Sequence, residues 1–166
     1  MTDSNKTLAT ATKTIASNNS VTVSFKRASI NDRAFLLRLR KASMNAHLKS
    51  AGIFLDDRAH MQRIDEYFFD SYIILYQHLA IGLLKLGQFP DKIHVRQFQL
   101  LPKFHGLGIG SRILALVKQK AQAKQVAITL NVLLNNPAKD LYLRHGFVVT
   151  TRNELEFQMR WQGQYD

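Results

Sequence analysis

Glycine occupies every second position at 106, 108 and 110, within the stretch Phe104-His-Gly-Leu-Gly-Ile-Gly-Ser111. The residues before it alternate as a strand. The residues after it are helical, with Ile113, Leu114, Val117 and Ala121 on one face and Arg112, Lys118, Gln119 and Gln122 mostly off it. A strand entering a helix through such a loop leaves backbone amides unscreened by Cβ atoms. The helix N-terminus adds unsatisfied N–H groups and the positive end of its dipole, and together these specify an anion, most simply a phosphate. Two familiar phosphate loops do not fit. A dinucleotide fingerprint needs its third glycine one residue later and an acid about twenty positions on, where this chain reads Lys124-Gln125-Val126. A nucleoside-triphosphate loop needs Gly-Lys-Ser/Thr, and here Gly110 precedes Ser111 and Arg112. Taken alone, the loop also reads as a plain tight turn.

A second motif, Asn135-Asn-Pro-Ala-Lys-Asp-Leu-Tyr-Leu-Arg-His-Gly-Phe147, is a complete helix specification. Asn136 suits the N-cap, Pro137 the first helical position and Gly146 the left-handed C′ position. Ala138, Leu141 and Tyr142 share a face at i, i+3 and i+4. By itself Tyr142 reads as a buried aromatic with a satisfied hydroxyl.

In this order the two motifs resemble the GCN5-related N-acetyltransferase (GNAT) superfamily. The resemblance covers roughly residues 21 to 161 and is specific over 97–147. The family's acyl-CoA loop, Gln/Arg-x-x-Gly-x-Gly/Ala, aligns with His105, Gly108 and Gly110. Its second motif, Asn-x-x-Ala-x-x-Leu-Tyr followed by Gly-Phe, aligns with Asn135, Ala138, Leu141, Tyr142, Gly146 and Phe147. His105 departs from the usual glutamine or arginine, and two readings of it stand: a direct phosphate contact, or a solvated loop histidine. The resemblance implies a mixed central sheet whose middle strands splay apart, with acetyl-CoA as cosubstrate. The pantetheine arm would extend the strand ending at Leu100 and Leu101, and the diphosphate would rest on amides of Gly106, Leu107, Gly108, Ile109, Gly110 and Ser111. Asn135 and Tyr142 would face the thioester. Tyr142 is implied as the acid that protonates the departing thiolate, the alternative being that it only positions the sulfur.

The elements read from the residues agree with an α/β domain spanning 21–166, a mixed twisted sheet with helices on both faces. Residues 1–20 are rich in Ser, Thr, Asn and Lys and read as a disordered tail. A strand opens at Val21, and Asn31 or Asp32 can cap a helix running to about Leu48. Asp56 or Asp57 can cap a second helix to about Phe69. Strands are expected at 72–76, 79–86, 92–100 and 126–132, with turns at Gln77-His78 and Gln88–Asp91. Two more, 148–152 and 154–161, form a hairpin through Asn153.

Composition restricts the remaining classes. A chain of 166 residues with 46% hydrophobic content fits one domain with a real core. No apolar run reaches the roughly 18 residues of a membrane span. Zero cysteines exclude disulfides and thiolate metal sites and fit a reducing cytoplasm. The histidines are scattered without a ligand spacing, so no metal is expected. The formal charge of +11 raises nucleic acid as a partner, but the basic residues form no helical stripe, and coenzyme A is itself a polyanion. The expected partner is a small-molecule or peptide amine; a homodimer is allowed. A catalytically inactive acyl-CoA sensor and a nucleic-acid binder are the alternatives from other classes.

An amine with a pKa of about 10.4 must lose a proton before attack. Gln97 and Gln99 stand where relatives sometimes carry a glutamate, and a glutamine is no base. Glu66, Asp70 and His94 are candidates by type, as is proton loss through water, and none is assigned. Five of the twelve acidic residues lie between Asp56 and Asp70. That cluster reads either as a patch for a cationic acceptor or as helix caps and solvated charges.

Overall fold

The computed structural model describes residues 22–165; the tail expected at 1–20 lies outside the described residues. Seven strands are β1 (Val23–Arg27), β2 (Ser71–Tyr76), β3 (Leu79–Gln88), β4 (Lys92–Leu100), β5 (Ala127–Leu133), β6 (Val148–Arg152) and β7 (Glu156–Trp161). Four helices are α1 (Arg33–Ser50), α2 (Asp57–Asp65), α3 (Ile109–Lys124) and α4 (Ala138–Arg144). The strands form one sheet in the order β1-β2-β3-β4-β5-β7-β6. Among the described strands only β4 and β5 pair in parallel, the crossover between them being the glycine loop and α3.

Alternation along the strands builds two cores. Ile74, Leu84, Ile93, Val95, Ile128 and Leu130 pack with Ile113, Leu114, Val117 and Ala121 of α3. Their neighbours Ile73 and Leu83 point the other way, onto Leu36 and Leu39 of α1 and Ile64 of α2. Each fully buried Leu or Ile contributes about 1.5–3 kcal/mol, so a one-residue slip in either central strand would be heavily penalised.

The expected elements are present with shifted ends. Gln77 and His78 both take positive φ (50° and 64°), the pair of left-handed residues that a two-residue hairpin needs, here without glycine. Asp56 caps α2 by accepting from the Ala59 amide at 2.8 Å. That helix, expected to reach Phe69, stops at Asp65. Tyr67 is left-handed (φ 52°), and Phe68–Asp70 form a separate 3-10 turn. Helix α4 begins one residue later than expected, at Ala138. Asn136 nevertheless serves as the cap, its Oδ1 accepting from the Ala138 amide at 3.0 Å.

One buried charge fixes α2 to the sheet. Lys85 of β3 is 1% exposed, and its ammonium donates to the carbonyls of Arg63 (3.2 Å), Ile64 (3.0 Å) and Glu66 (2.7 Å). Three donors thus meet the orphan carbonyls at a helix C-terminus, where the dipole also favours a cation. Burial, followed by the nearby Arg40, pulls its pKa from 10.5 down to about 8. Lys85→Met should leave the Ile64 and Glu66 carbonyls without donors, that of Arg63 keeping the Gln97 amide at 3.2 Å, and cost about 2–4 kcal/mol, read as a lowered urea midpoint at unchanged m. A loss below about 0.5 kcal/mol, the scale of an ordinary surface substitution, would show that the ammonium does not hold the helix end.

Candidate active site

The central strands part company halfway along. β4 pairs with β5 only from Lys92↔Ala127 to Val95↔Leu130, while it stays bonded to β3 as far as Leu100. The β3–β4 register slips between Lys85 and Leu86, so that Arg96 has no partner across the ladder. An extra residue of this kind bends its strand, and β4 turns away from β5 at that point. The slot left between them is a cavity of about 350 Å³, walled by Gln97, Phe98 and Gln99 of β4 and by Leu130–Leu133 of β5. Backbone groups that would pair in a continuous sheet are left facing it.

The glycine loop follows directly on the end of β4, with Gly110 beside Phe98 and Leu141. Gly106 and Gly108 take φ of 73° and 80°, a conformation only glycine adopts readily. Gly110 has a different reason: a Cβ there would sit 3.1 Å from Leu141 Cδ2, so its absence lets α3 begin against α4. The amides of residues 106–111 have no backbone partner among the described residues, whereas that of Arg112 bonds Gly108 at 3.1 Å. Helix α3 has neither a side-chain cap nor an acid in its first turn. Six consecutive free amides at a helix N-terminus fit a diphosphate.

Helix α4 closes the other wall. Gly146 is left-handed (φ 85°), and the amides of Gly146 and Phe147 bond the carbonyls of Leu143 and Tyr142, both at 3.1 Å. This cap brings Phe147 back onto Tyr142, with ring centroids 5.6 Å apart. The glycine after the helix therefore fixes the tyrosine inside it. Tyr142 is buried and lines the cavity, and burial pushes its phenol well above the usual range, so it stays protonated. Asn136, not Asn135, lines the cavity. Asn135 is exposed and donates to the His47 carbonyl at 3.2 Å, tying the start of α4 to the end of α1.

The remaining expected cofactor contacts are partly engaged already. The Leu101 amide bonds Ile81 of β3 at 2.8 Å, and the exposed His105 bonds the Leu100 carbonyl through Nε2 at 2.9 Å. A carbonyl only accepts, so that nitrogen carries the proton. His105 thus bridges the glycine loop to the last residue of β4, a contact over five residues that neither reading of the sequence contained.

The far side of the cavity, under α1 and α2, is basic. Arg40, Arg63, His94 and Arg96 line it, with Glu156 as an acidic member. None of the five clustered acids is left over to serve as a patch. Asp56 caps α2, Asp57 pairs with Lys41 (2.8 Å), Asp65 with Arg33 (2.6 Å), Glu66 with Arg63 (3.4 Å) and Asp70 with Arg96 (3.0 Å). Of the three candidate bases only His94 lines this cavity. Its Nδ1 lies 2.8 Å from Thr129 Oγ1, and burial, then Arg96 and Lys92, lower its pKa. The oxygens Gln97 Oε1 and Gln99 Oε1 are buried without a partner among the described residues. Among those residues no group of His, Asp or Glu is arranged to hold a metal.

Comparison with known proteins agrees with this geometry. The fold is similar to that of the PaiA N-acetyltransferase of Thermoplasma acidophilum, solved with coenzyme A, at a TM-score of 0.66 and 18% identity over 86% of this chain and 99% of that one. It is also similar to a GNAT-family acetyltransferase of Bacillus anthracis, at a TM-score of 0.65 and 8% identity over 86% and 96% of the two chains. Identities this low speak for the fold alone. No curated protein matches the sequence. The model of the acetyltransferase (GNAT) domain family matches residues 46–162, from the end of α1 through β7 and so across both motifs and the slot between them. The chain belongs to the GNAT acetyltransferases, enzymes that use acetyl-CoA to acetylate an amine.

Proposed function

We propose that the slot between β4 and β5 holds the pantetheine arm of acetyl-CoA, with the diphosphate on the amides of Gly106–Ser111 and the thioester beside Tyr142. The acceptor amine enters from the side of α1 and α2 and attacks the thioester directly. One observation carries this reading: a strand edge without a partner and a protonated phenol line a single cavity, and the loop with six free amides follows directly on that strand, Gly110 lying beside Phe98 of the cavity wall. The Leu100 amide and the backbone of Phe98 face away from β3 and are the β4 groups left for the pantetheine. The Leu101 amide and the Leu100 carbonyl are held by Ile81 and His105 and position the strand.

Backbone amides along the slot supply donors for the tetrahedral oxyanion. As that intermediate collapses, Tyr142 donates its proton, or a strong hydrogen bond, to the leaving sulfur. The desolvation that keeps the phenol protonated also raises the proton affinity of a thiolate beside it, so the two are better matched there than in water. Tyr142→Phe should lower kcat by about 10²–10⁴-fold, with acetyl-CoA affinity changed far less. Weaker cofactor binding with a modest rate loss would instead make Tyr142 a positioning residue.

His94 is proposed as the base. In the tautomer that donates its Nδ1 proton to Thr129 Oγ1, Nε2 is left as the nitrogen that can accept a proton. Its lowered pKa keeps the neutral, proton-accepting form populated at pH values where an ordinary histidine has begun to charge. The acidic limb of kcat/KM should therefore fall with a midpoint below about 6.5, and His94→Gln should lose that limb. An unchanged limb in the variant would assign the proton to water. No described helix is long and apolar enough to cross a membrane. A reducing cytoplasm is the compartment proposed, in keeping with a chain that carries no cysteine.

A further inference from the structure

Arg40 of α1 is 6% exposed, lines the cavity, and has no carboxylate partner among the described residues. A buried guanidinium is ordinarily paired, because an uncompensated charge in a protein interior is costly. What Arg40 has instead is a histidine. Its Nε donates to Nδ1 of the fully buried His60 at 3.1 Å. Arginine only donates, so His60 Nδ1 must be unprotonated, and its Nε2 proton goes to Asn45 Oδ1 at 2.9 Å. Burial, then the arginine, depress the pKa of His60 and keep the ring neutral. His60 and Asn45 thus orient the guanidinium without cancelling its charge. Burial, then Arg63, lower the pKa of Arg40 to about 10, the direction expected of a desolvated cation near another cation. The other arginines of this wall differ: Arg96 is held by Asp70 and stacked on Tyr67 at 3.5 Å, and Arg63 reaches Glu66. Glu156 is engaged by Asn131 at 2.9 Å.

The groups of this wall without a counterpart are thus a cation, Arg40, and two acceptors, Gln97 Oε1 and Gln99 Oε1, which lie buried behind the lining and come within reach of a ligand by rotation of their amides. Gln97 is oriented by its own amide, which donates to the Arg63 carbonyl at 3.2 Å. A ligand that satisfies all three carries an anionic group for Arg40 and N–H donors for the glutamines. We propose that the acceptor is an amine bearing its own anionic group, of the amino-acid type, with the carboxylate on Arg40 and the amine between Gln97, Gln99 and the thioester. This rests on the slot being the acyl-transfer site and names the acceptor class for it.

Thiol release from acetyl-CoA should be measured with wild-type protein on matched pairs. Each α-amino acid of a panel is compared with its carboxamide, aminoethyl phosphate with ethanolamine, and a polyamine is included. The carboxamide's amine is the less basic and loses its proton more readily, so intrinsic reactivity favours the amide. The proposal expects the reverse, a kcat/KM about 10–100-fold higher for the anionic member, the range of a charge-assisted hydrogen bond. Arg40→Gln should bring the ratio close to one, and Arg40→Lys should retain part of it. A larger ratio for the phosphate pair than for the carboxylates would keep the anion and change its identity. Binding gives a separate readout: the N-acetyl amino acids and their N-acetyl carboxamides are titrated into CoA-loaded wild-type protein by calorimetry. If no amine is turned over while coenzyme A binds, acyl transfer at this slot fails, and the calorimetric preference alone decides the anion site. Equal binding and equal turnover of anionic and neutral members, or preference for the polyamine, would overturn the proposal.

Discussion

The parting of β4 from β5 is the constraint on which the rest depends. A sheet interior satisfies its backbone by pairing, and four paired residues followed by divergence leave donors and acceptors with nothing to bond. The register slip opposite Arg96 bends β4 while β3 holds its other edge as far as Leu100. β7 likewise holds the outer edge of β5 through Leu133. The slot is therefore open between two firmly held strands, and the glycine loop lies beside its Phe98 wall because the β4–α3 connection emerges from the end of the bent strand.

Charge is distributed around that slot in a pattern that differs from one wall to the next. The loop side offers amides and a helix N-terminus. The α1–α2 side carries Arg40, Arg63 and Arg96 over a floor containing the buried Lys85. The nearby acids are each engaged: Asp57 and Asp65 of α2 pair Lys41 and Arg33 of α1, while Glu66 and Asp70, beyond α2, pair Arg63 and Arg96, which leaves Arg40 without a carboxylate. That arrangement holds α1 and α2 in place while leaving the inner wall positive. It also inverts the reading of the acidic cluster as a cation site.

The sequence disclosed what local rules determine. The two motifs, the order of elements, the Gln77-His78 turn and the glycine cap after α4 all follow from spacing within a few residues. What it concealed are contacts between distant positions. Lys85 bonds carbonyls about twenty residues earlier, Arg40 meets His60 across two helices, and Asn135 reaches His47. No periodicity announces these. The end of α2 carries no mark in the sequence, because Tyr67 adopts a left-handed conformation without being glycine or asparagine. Gly110 had a packing role invisible until Leu141 was placed beside it.

The central claim is that acetyl-CoA completes the backbone pairing this sheet leaves undone. Amide hydrogen exchange resolved to single residues, with and without acetyl-CoA, tests it most directly. The account predicts new protection at residues 106–111 and along the free edge of β4 from Phe98 to Leu100, with β1 and β2 unchanged. Protection confined to other surfaces, or none in the loop under saturating ligand, would contradict it.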